Sequence, residues 1–195
     1  MKKLYCFDFD GTLTKKDTMF DFLKFYNRKS FYYVYVKYIP LFILLKLGLL
    51  PADKVKESFI SEFLAKKPVN EIEEVAKRYM EVNFQRLIRP NALEFIQTID
   101  LSQVKCFLVT ASLEYWVRPF AERMNMKLLA TEGEVVDGVF TGKFRSLNCN
   151  GIEKVRRIEE EIGENKYDKI IAFGDTKGDS EMLNFANESH FKFFH

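Results

Sequence analysis

The chain has 195 residues, 47% hydrophobic and 30% charged, a balance that fits a well-filled core and excludes extended disorder. A net charge of +2 gives no reason to expect a nucleic-acid partner. Residues 1–50 nonetheless carry nine Lys and Arg against four acids, so this part favours an anionic surface or substrate.

Residues 3–9 are short, apolar and aromatic and predict a buried strand, broken at once by Asp10-Gly11-Thr12. Asp17-Thr18 supplies a helix N-cap before residues 19–26. Residues 31–50, from Phe31 to Leu50, are unusually apolar but interrupted by Lys37, Pro40, Lys46 and Gly48. The proline predicts two short helices here. The segment packs among neighbouring helices, lies in a membrane interface beside Arg28 and Lys29 or, at twenty residues, spans a bilayer. Pro51 opens a helix over residues 52–66. Pro68 and Asn70 open the next, with Glu73 completing a capping box. Ile72, Val75, Ala76, Tyr79, Met80 and Asn83 give this helix one mainly apolar face.

Beyond Pro90 the rhythm becomes strand and helix in alternation. A helix over 91–99 leads to a strand over 104–109, a helix over 113–124 and a short strand near Leu128. Residues 133–144 predict a hairpin turning at Asp137-Gly138. A helix over 152–162, a strand over 169–173, a helix over 180–186 and an aromatic tail complete the chain. The expected fold is therefore α/β: a Rossmann-like parallel sheet core, residues 1–14 and 86–195, with an inserted all-helical cap, residues 15–85. Cys6, Cys106 and Cys149, odd in number and widely spaced, read as reduced thiols. With no secretory leader before Asp8, the chain is expected to face the cytoplasm.

Four places carry chemistry. Asp8 and Asp10, two apart on a strand, project together from its carboxyl end, where one carboxylate can attack while the other moves a proton. Gly11 lets the backbone turn beside a ligand. Thr110 and Ser112 end a buried strand ahead of a helix, an arrangement that either binds phosphate or caps the helix. Lys154 sits in a first helical turn, against the macrodipole. It is either a surface lysine or a cation turned toward carboxylates. Asp175 and Asp179 occupy a strand-to-helix loop that suits a hard divalent cation or, equally, a turn with a cap.

The four in this order resemble the haloacid dehalogenase superfamily, and the resemblance spans nearly the whole chain. It rests mainly on the string from Asp8 to Thr14 and on Gly174-Asp175 with Asp179. The resemblance implies a magnesium-dependent phosphatase. Asp8 would be the nucleophile and form an aspartyl-phosphate; Asp10 would be the acid and base. Thr110 and the Ala111 N–H would bind the phosphoryl oxygens, with Lys154 neutralising charge. Mg2+ would be held by Asp8, the Asp10 carbonyl, Asp175 and Asp179. The early helical insertion resembles the cap of the phosphoserine-phosphatase-like branch. Asp17 stands where phosphoserine phosphatases usually have glutamate, and Gly178 where they have asparagine. Asp17 is thus expected to set substrate specificity. The Gly-Asp-x-x-Gly-Asp variant is more similar to C-type phosphatidylglycerophosphatases and their relatives. The expected substrate is a small phosphorylated metabolite, with a lipid phosphate at a membrane surface as the alternative. A non-catalytic binding protein on the same scaffold is the remaining reading, and the intact acid and lysine set weighs against it.

Overall fold

The computed structural model describes residues 2–100 and 104–195. In them the strands run β1 (Lys3–Phe7), β2 (Val104–Leu113), β3 (Lys127–Thr131), β4 (Gly133–Val136), β5 (Val139–Phe144), β6 (Lys169–Gly174) and β7 (Glu188–Phe191). The helices are α1 (Thr18–Tyr26), α2 (Arg28–Lys46), α3 (Ala52–Leu64), α4 (Val69–Leu87), α5 (Pro90–Gln97), α6 (Glu114–Arg123), α7 (Ile152–Ile162) and α8 (Ser180–Phe185).

Five strands form one sheet in the order β3-β2-β1-β6-β7, each neighbouring pair parallel. The chain steps outward from β1 through β2 to β3, then returns to the other side of β1 as β6. The order therefore reverses between β1 and β6, and the crevice that such a reversal leaves at the strands' carboxyl ends is where open α/β sheets take ligands. Period-two alternation divides the sheet's side chains between two faces. Phe7, Leu108, Ile171 and Phe173 join the cluster containing α5 and α6, whereas Leu4, Cys6, Phe107, Val109 and Ala172 pack with Ile158 of α7 and Met182 of α8. Both faces are covered, as a parallel sheet requires.

The α1–α4 block shares the first of these clusters. Phe22 stacks on Trp116 with ring centroids 5.3 Å apart, and Tyr79 and Phe84 meet Phe120 at 5.9 and 6.1 Å. The hairpin of β4 and β5 turns at Asp137 (φ 51°) and Gly138 (φ 76°), the left-handed pair that a two-residue turn of this hand needs. The Lys66 N–H donates to the Phe140 carbonyl (2.8 Å) and the Val69 N–H to Gly138 (2.9 Å), tying this hairpin to the junction of α3 and α4.

The structure departs from the sequence-based expectations in several places, among them β2, which runs on to Leu113. β1 ends at Phe7, and Phe9–Leu13 form a wide turn in which Gly11 takes φ 87°. Pro40 does not divide residues 31–50: α2 is a single helix through it. The carbonyl left without a donor belongs to Val36, on an exposed face where water can take it, while buried Phe31, Val34 and Tyr38 hold the inner face down. Pro68, not Asn70, stands at the cap of α4, because the Pro68 segment bridges to Val139 on β5; Asn70 instead accepts the Glu71 N–H. The aromatic tail forms a fifth sheet strand, β7. The three cysteines are free and buried. No described helix is long and apolar enough to cross a membrane.

Candidate active site

The site is built on the ends of β1 and β6, whose residues Phe7 and Phe173 stand side by side. Continuing the alternation past Phe7 turns Asp8 toward α7. There the Lys154 ammonium donates to Asp8 Oδ1 at 2.6 Å, to Asp179 Oδ1 at 2.6 Å and to the Val109 carbonyl at 2.9 Å. All three ammonium hydrogens are thereby used. Lys154 and Asp179 are each 1% exposed and Asp8 6%. The other Asp179 oxygen accepts from the Asp175 and Thr176 N–H groups and from the Thr176 hydroxyl, at 3.1, 2.9 and 2.9 Å. Among the described residues no donor is recorded on Asp8 Oδ2.

These contacts explain the electrostatics. Burial pushes the Asp8 carboxyl up to about 7, with the Asp179 and Asp10 charges adding to it and Lys154 opposing. Burial acts to lower the Lys154 ammonium, but Asp8 and Asp179 outweigh it and raise it above the ordinary lysine range. Burial also acts to raise Asp179, yet Lys154 and Thr176 hold it below the ordinary carboxylate range.

One cation thus serves a group in which oxygens of Asp8, Asp175 and Asp179 all lie within 4.8 Å of one another. Three carboxylates and one ammonium leave negative charge in excess. With only oxygen donors, the donor set fits a hard divalent cation such as Mg2+. Asp175 is fixed by the Thr12 hydroxyl at 3.0 Å. Gly11 is required beside it: a Cβ there would sit 2.4 Å from Asp175 Oδ2, in a backbone that already needs φ 87°. The Gly11 carbonyl in turn accepts from Arg89 (3.2 and 3.3 Å) and His195 (2.9 Å), anchoring the turn from outside. At Gly178 the close neighbour is only the end of the exposed Asn150 side chain, and the backbone needs no positive φ.

Asp10 points elsewhere. Its Oδ1 accepts from the Thr18 N–H and hydroxyl, both at 2.7 Å, and its Oδ2 from the Ser112 hydroxyl at 2.6 Å. Trp116 donates its indole N–H to the Thr18 hydroxyl at 3.1 Å, closing the network against the core. Asp10 therefore leaves its side chain out of the Asp8–Asp175–Asp179 group. The Thr110 hydroxyl accepts the Ser112 N–H at 3.0 Å at the end of β2. Asp17 caps α1 by accepting the Met19 N–H at 2.8 Å. It keeps one side open to water, yet the surrounding protein pushes its carboxyl up to about 6, desolvation first and the Asp10 charge next, against Lys56.

Lys56 was not expected from the sequence. It extends from α3 to the Ala111 carbonyl at 2.9 Å, within the fields of Asp10, Asp17, Asp8 and Lys154. Crowding lowers its ammonium, and the three acids oppose this. Nothing in its own segment marks it, because its approach to the site depends on how α3 packs. The roles of Thr18 and Ser112 as holders of Asp10 were also missed, although both sit in segments that had been read as caps or phosphate contacts.

The chain matches the haloacid dehalogenase-like hydrolase family over residues 6–184. It belongs to that family. The match contains every residue of the site but Arg89's partner His195 and brings Asp8, Lys154 and Asp179 within one family framework. The haloacid dehalogenase-like chain is also similar to protein CicA of Caulobacter vibrioides, 33% identical over 193 residues, with 98% of this chain and 86% of CicA covered. In fold it is similar to a Bordetella pertussis Tohama I protein of unknown function, with TM-score 0.86, 21% identity and coverage of 97% and 89% of the two chains. It is likewise similar to a phosphoserine phosphatase solved as an analogue of its phospho-aspartyl intermediate, with TM-score 0.67, 20% identity and coverage of 96% and 85%.

Proposed function

We propose that this hydrolase is a magnesium-dependent phosphomonoesterase working through Asp8. The observation that carries the reading is the buried Asp8–Lys154–Asp179 arrangement at the sheet reversal, with one Asp8 oxygen held by Lys154 and Asp10 held separately beside it. An Asp8 oxygen attacks phosphorus, the phosphorus–oxygen ester bond breaks, and Asp10 gives a proton to the departing oxygen. Asp10 then takes a proton from the water that splits the aspartyl-phosphate, restoring Asp8. Thr110 and the Ala111 N–H hold phosphoryl oxygens, and Lys154 offsets the charge that Asp8 and phosphate bring together. Asp8, the Asp10 carbonyl and Asp175 would hold Mg2+, with Asp179 reaching it directly or through water. When bound, the metal would supply charge neutralisation for the phosphoryl group.

Residues 15–85 act as the cap over this crevice. Asp17 and Lys56, one anionic and one cationic, face the space above Asp10 and select the leaving group. The first reading of the substrate is a small phosphorylated metabolite, and the phosphoserine-phosphatase-like fold supports a cap of this type. A lipid phosphate, as in C-type phosphatidylglycerophosphatases, is the second reading, favoured by the outer surface of α2.

The test is phosphate release with Mg2+, from a panel of soluble phosphomonoesters and from phosphatidylglycerophosphate in micelles. Asp8→Asn keeps the side chain's shape but removes the nucleophile, and turnover should fall by at least about 10³-fold. Chelation with EDTA should abolish release, and added Mg2+ should restore it. Release that survives Asp8→Asn undiminished would overturn the reading.

A further inference from the structure

The solvent side of α2 is the reverse of what a surface helix should be. Tyr32, Tyr33, Val36, Ile39, Ile43 and Leu47 are all exposed, Tyr33 to 76%, Val36 to 63% and Leu47 to 66%. At 3.6 residues per turn these positions fall in one stripe along the helix, opposite the buried Phe31, Val34 and Tyr38. Because α2 runs unbroken through Pro40, Lys37 and Lys46, nine residues apart, stand on opposite flanks of the stripe, about half a revolution from each other. The stripe continues into the α2–α3 turn, where Leu49 is 66% exposed and a Cβ at Gly48 would meet nothing within 4 Å.

The charge carried by the segment itself is of one sign. Between Asp21 and Asp53 the chain has five Lys or Arg and no acid. Lys37 is paired with Glu62 at 2.7 Å, while Arg28, Lys29 and Lys46 are exposed along the helix. An apolar stripe with cationic flanks and tyrosines at one end matches a helix lying in a lipid interface, apolar face down and ammonium groups at headgroup level. A second copy of the chain would bring cation against cation across the same face, so an anionic bilayer is the complementary occupant.

We propose that the outer face of α2, with the α2–α3 turn, docks this protein on an anionic lipid surface. The turn also connects the surface to the site. Lys56, which reaches Ala111 beside Asp10, lies five residues beyond Pro51, about 7–8 Å along α3. The docking goes beyond the phosphatase reading and does not depend on it.

Flotation of the full chain with vesicles tests it, using phosphatidylcholine alone and phosphatidylcholine with about 30% phosphatidylglycerol. Wild type should float with the anionic vesicles and much less with the neutral ones. Val36→Ser/Ile43→Ser/Leu47→Ser should lower the bound fraction at least about tenfold, since three exposed apolar side chains are removed from the contact. Circular dichroism melting checks that this variant folds. Lys46→Glu, on the exposed flank, gives an independent reading and should weaken binding to anionic vesicles only. Wild type that stays unbound, or a triple variant that floats as well as wild type, would overturn the proposal. A lipid-free dimer abolished by the same three substitutions would also overturn it, giving the face to a second copy. Flotation needs no turnover, so Asp8→Asn protein should float like wild type whether or not Asp8 is the nucleophile.

Discussion

At the carboxyl ends of β1 and β6 the protein buries charge; along α2 it exposes apolar surface. Asp8, Lys154 and Asp179 are nearly inaccessible, while Tyr33, Val36 and Leu47 are mostly in water. Both regions invert the usual partition of side chains, which keeps ionised groups wet and large apolar groups dry. Inside, the inversion is supported by contacts: every Lys154 hydrogen has an acceptor, and Asp179 is held through both oxygens. Outside, no described part of the chain covers the α2 stripe, and the proposed lipid surface would supply the cover. Buried charge that is bonded within the chain is a device of the fold itself, and an uncovered apolar face is a device for meeting another phase.

The sharpest way to break this comparison is to remove the buried cation. Lys154→Met keeps much of the side chain's length but leaves Asp8 and Asp179 facing each other. At pH 7, without metal, it should cost about 3–5 kcal/mol of stability, the range for stranding buried charge. The loss should shrink at pH 5, because Asp8, which is raised to about 7 even with Lys154 holding it down, is then protonated in wild type as it is in the variant, and less attraction is lost. Urea unfolding at the two pH values in EDTA measures both effects. A loss under about 1 kcal/mol at pH 7 would mean that the three-residue contact carries little of the site's energy.

Why Asp8, Lys154 and Asp175 stand out in the sequence while Lys56 and the course of α2 do not follows from how each is placed. Asp8 and Asp175 sit just beyond the ends of β1 and β6, where alternation fixes direction locally, whereas Asp10, in the turn after β1, does not share Asp8's direction and Thr110 lies inside β2. Lys154 needs only the first turn of a helix whose start is marked by Gly151. Lys56 has no such local marker. Its place at the Ala111 carbonyl exists only once α3 is pinned by buried Val55, Phe59, Phe63 and Leu64 and by the β4–β5 hairpin. The continuity of α2 through Pro40 failed to show for a related reason. Proline's local cost was visible, whereas the inner-face packing of Phe31, Val34 and Tyr38 that offsets it is tertiary.

A smaller effect is expected at Asp17, between the two regions. Its carboxyl is raised from the ordinary aspartate value to about 6, so the native state binds the proton more tightly than the unfolded chain does. Below about pH 3 both states are protonated and the group is neutral in the balance. As pH rises through 4 to 6, the unfolded chain ionises first, and wild type loses stability that it does not regain above that window. Asp17→Asn keeps an acceptor for the Met19 N–H, since asparagine caps helices as well as aspartate. The variant should match wild type near pH 3 and exceed it above pH 6. Because one side of Asp17 is in water, screening limits the gain to under about 1 kcal/mol. Melting curves across this range in EDTA would show it, and a gain confined to acid pH would contradict the assignment.

The least effect on folding should come from the surface that stands out most. Val36→Ser and Leu47→Ser exchange side chains that are 63% and 66% exposed and contribute little to the inner face of α2. Serine and valine have similar helix propensities, and Leu47 already lies past the last helical residue. Each substitution should shift unfolding free energy by no more than about 0.5 kcal/mol in lipid-free buffer. If the stripe were a structural element, covered in solution by some part of the chain, the same changes would cost what burial of a Val or Leu is worth, about 1.5–3 kcal/mol. Chemical denaturation of the two single variants separates these cases, and a loss of the larger size would move α2's outer face from a surface awaiting a lipid partner to part of the protein's own core.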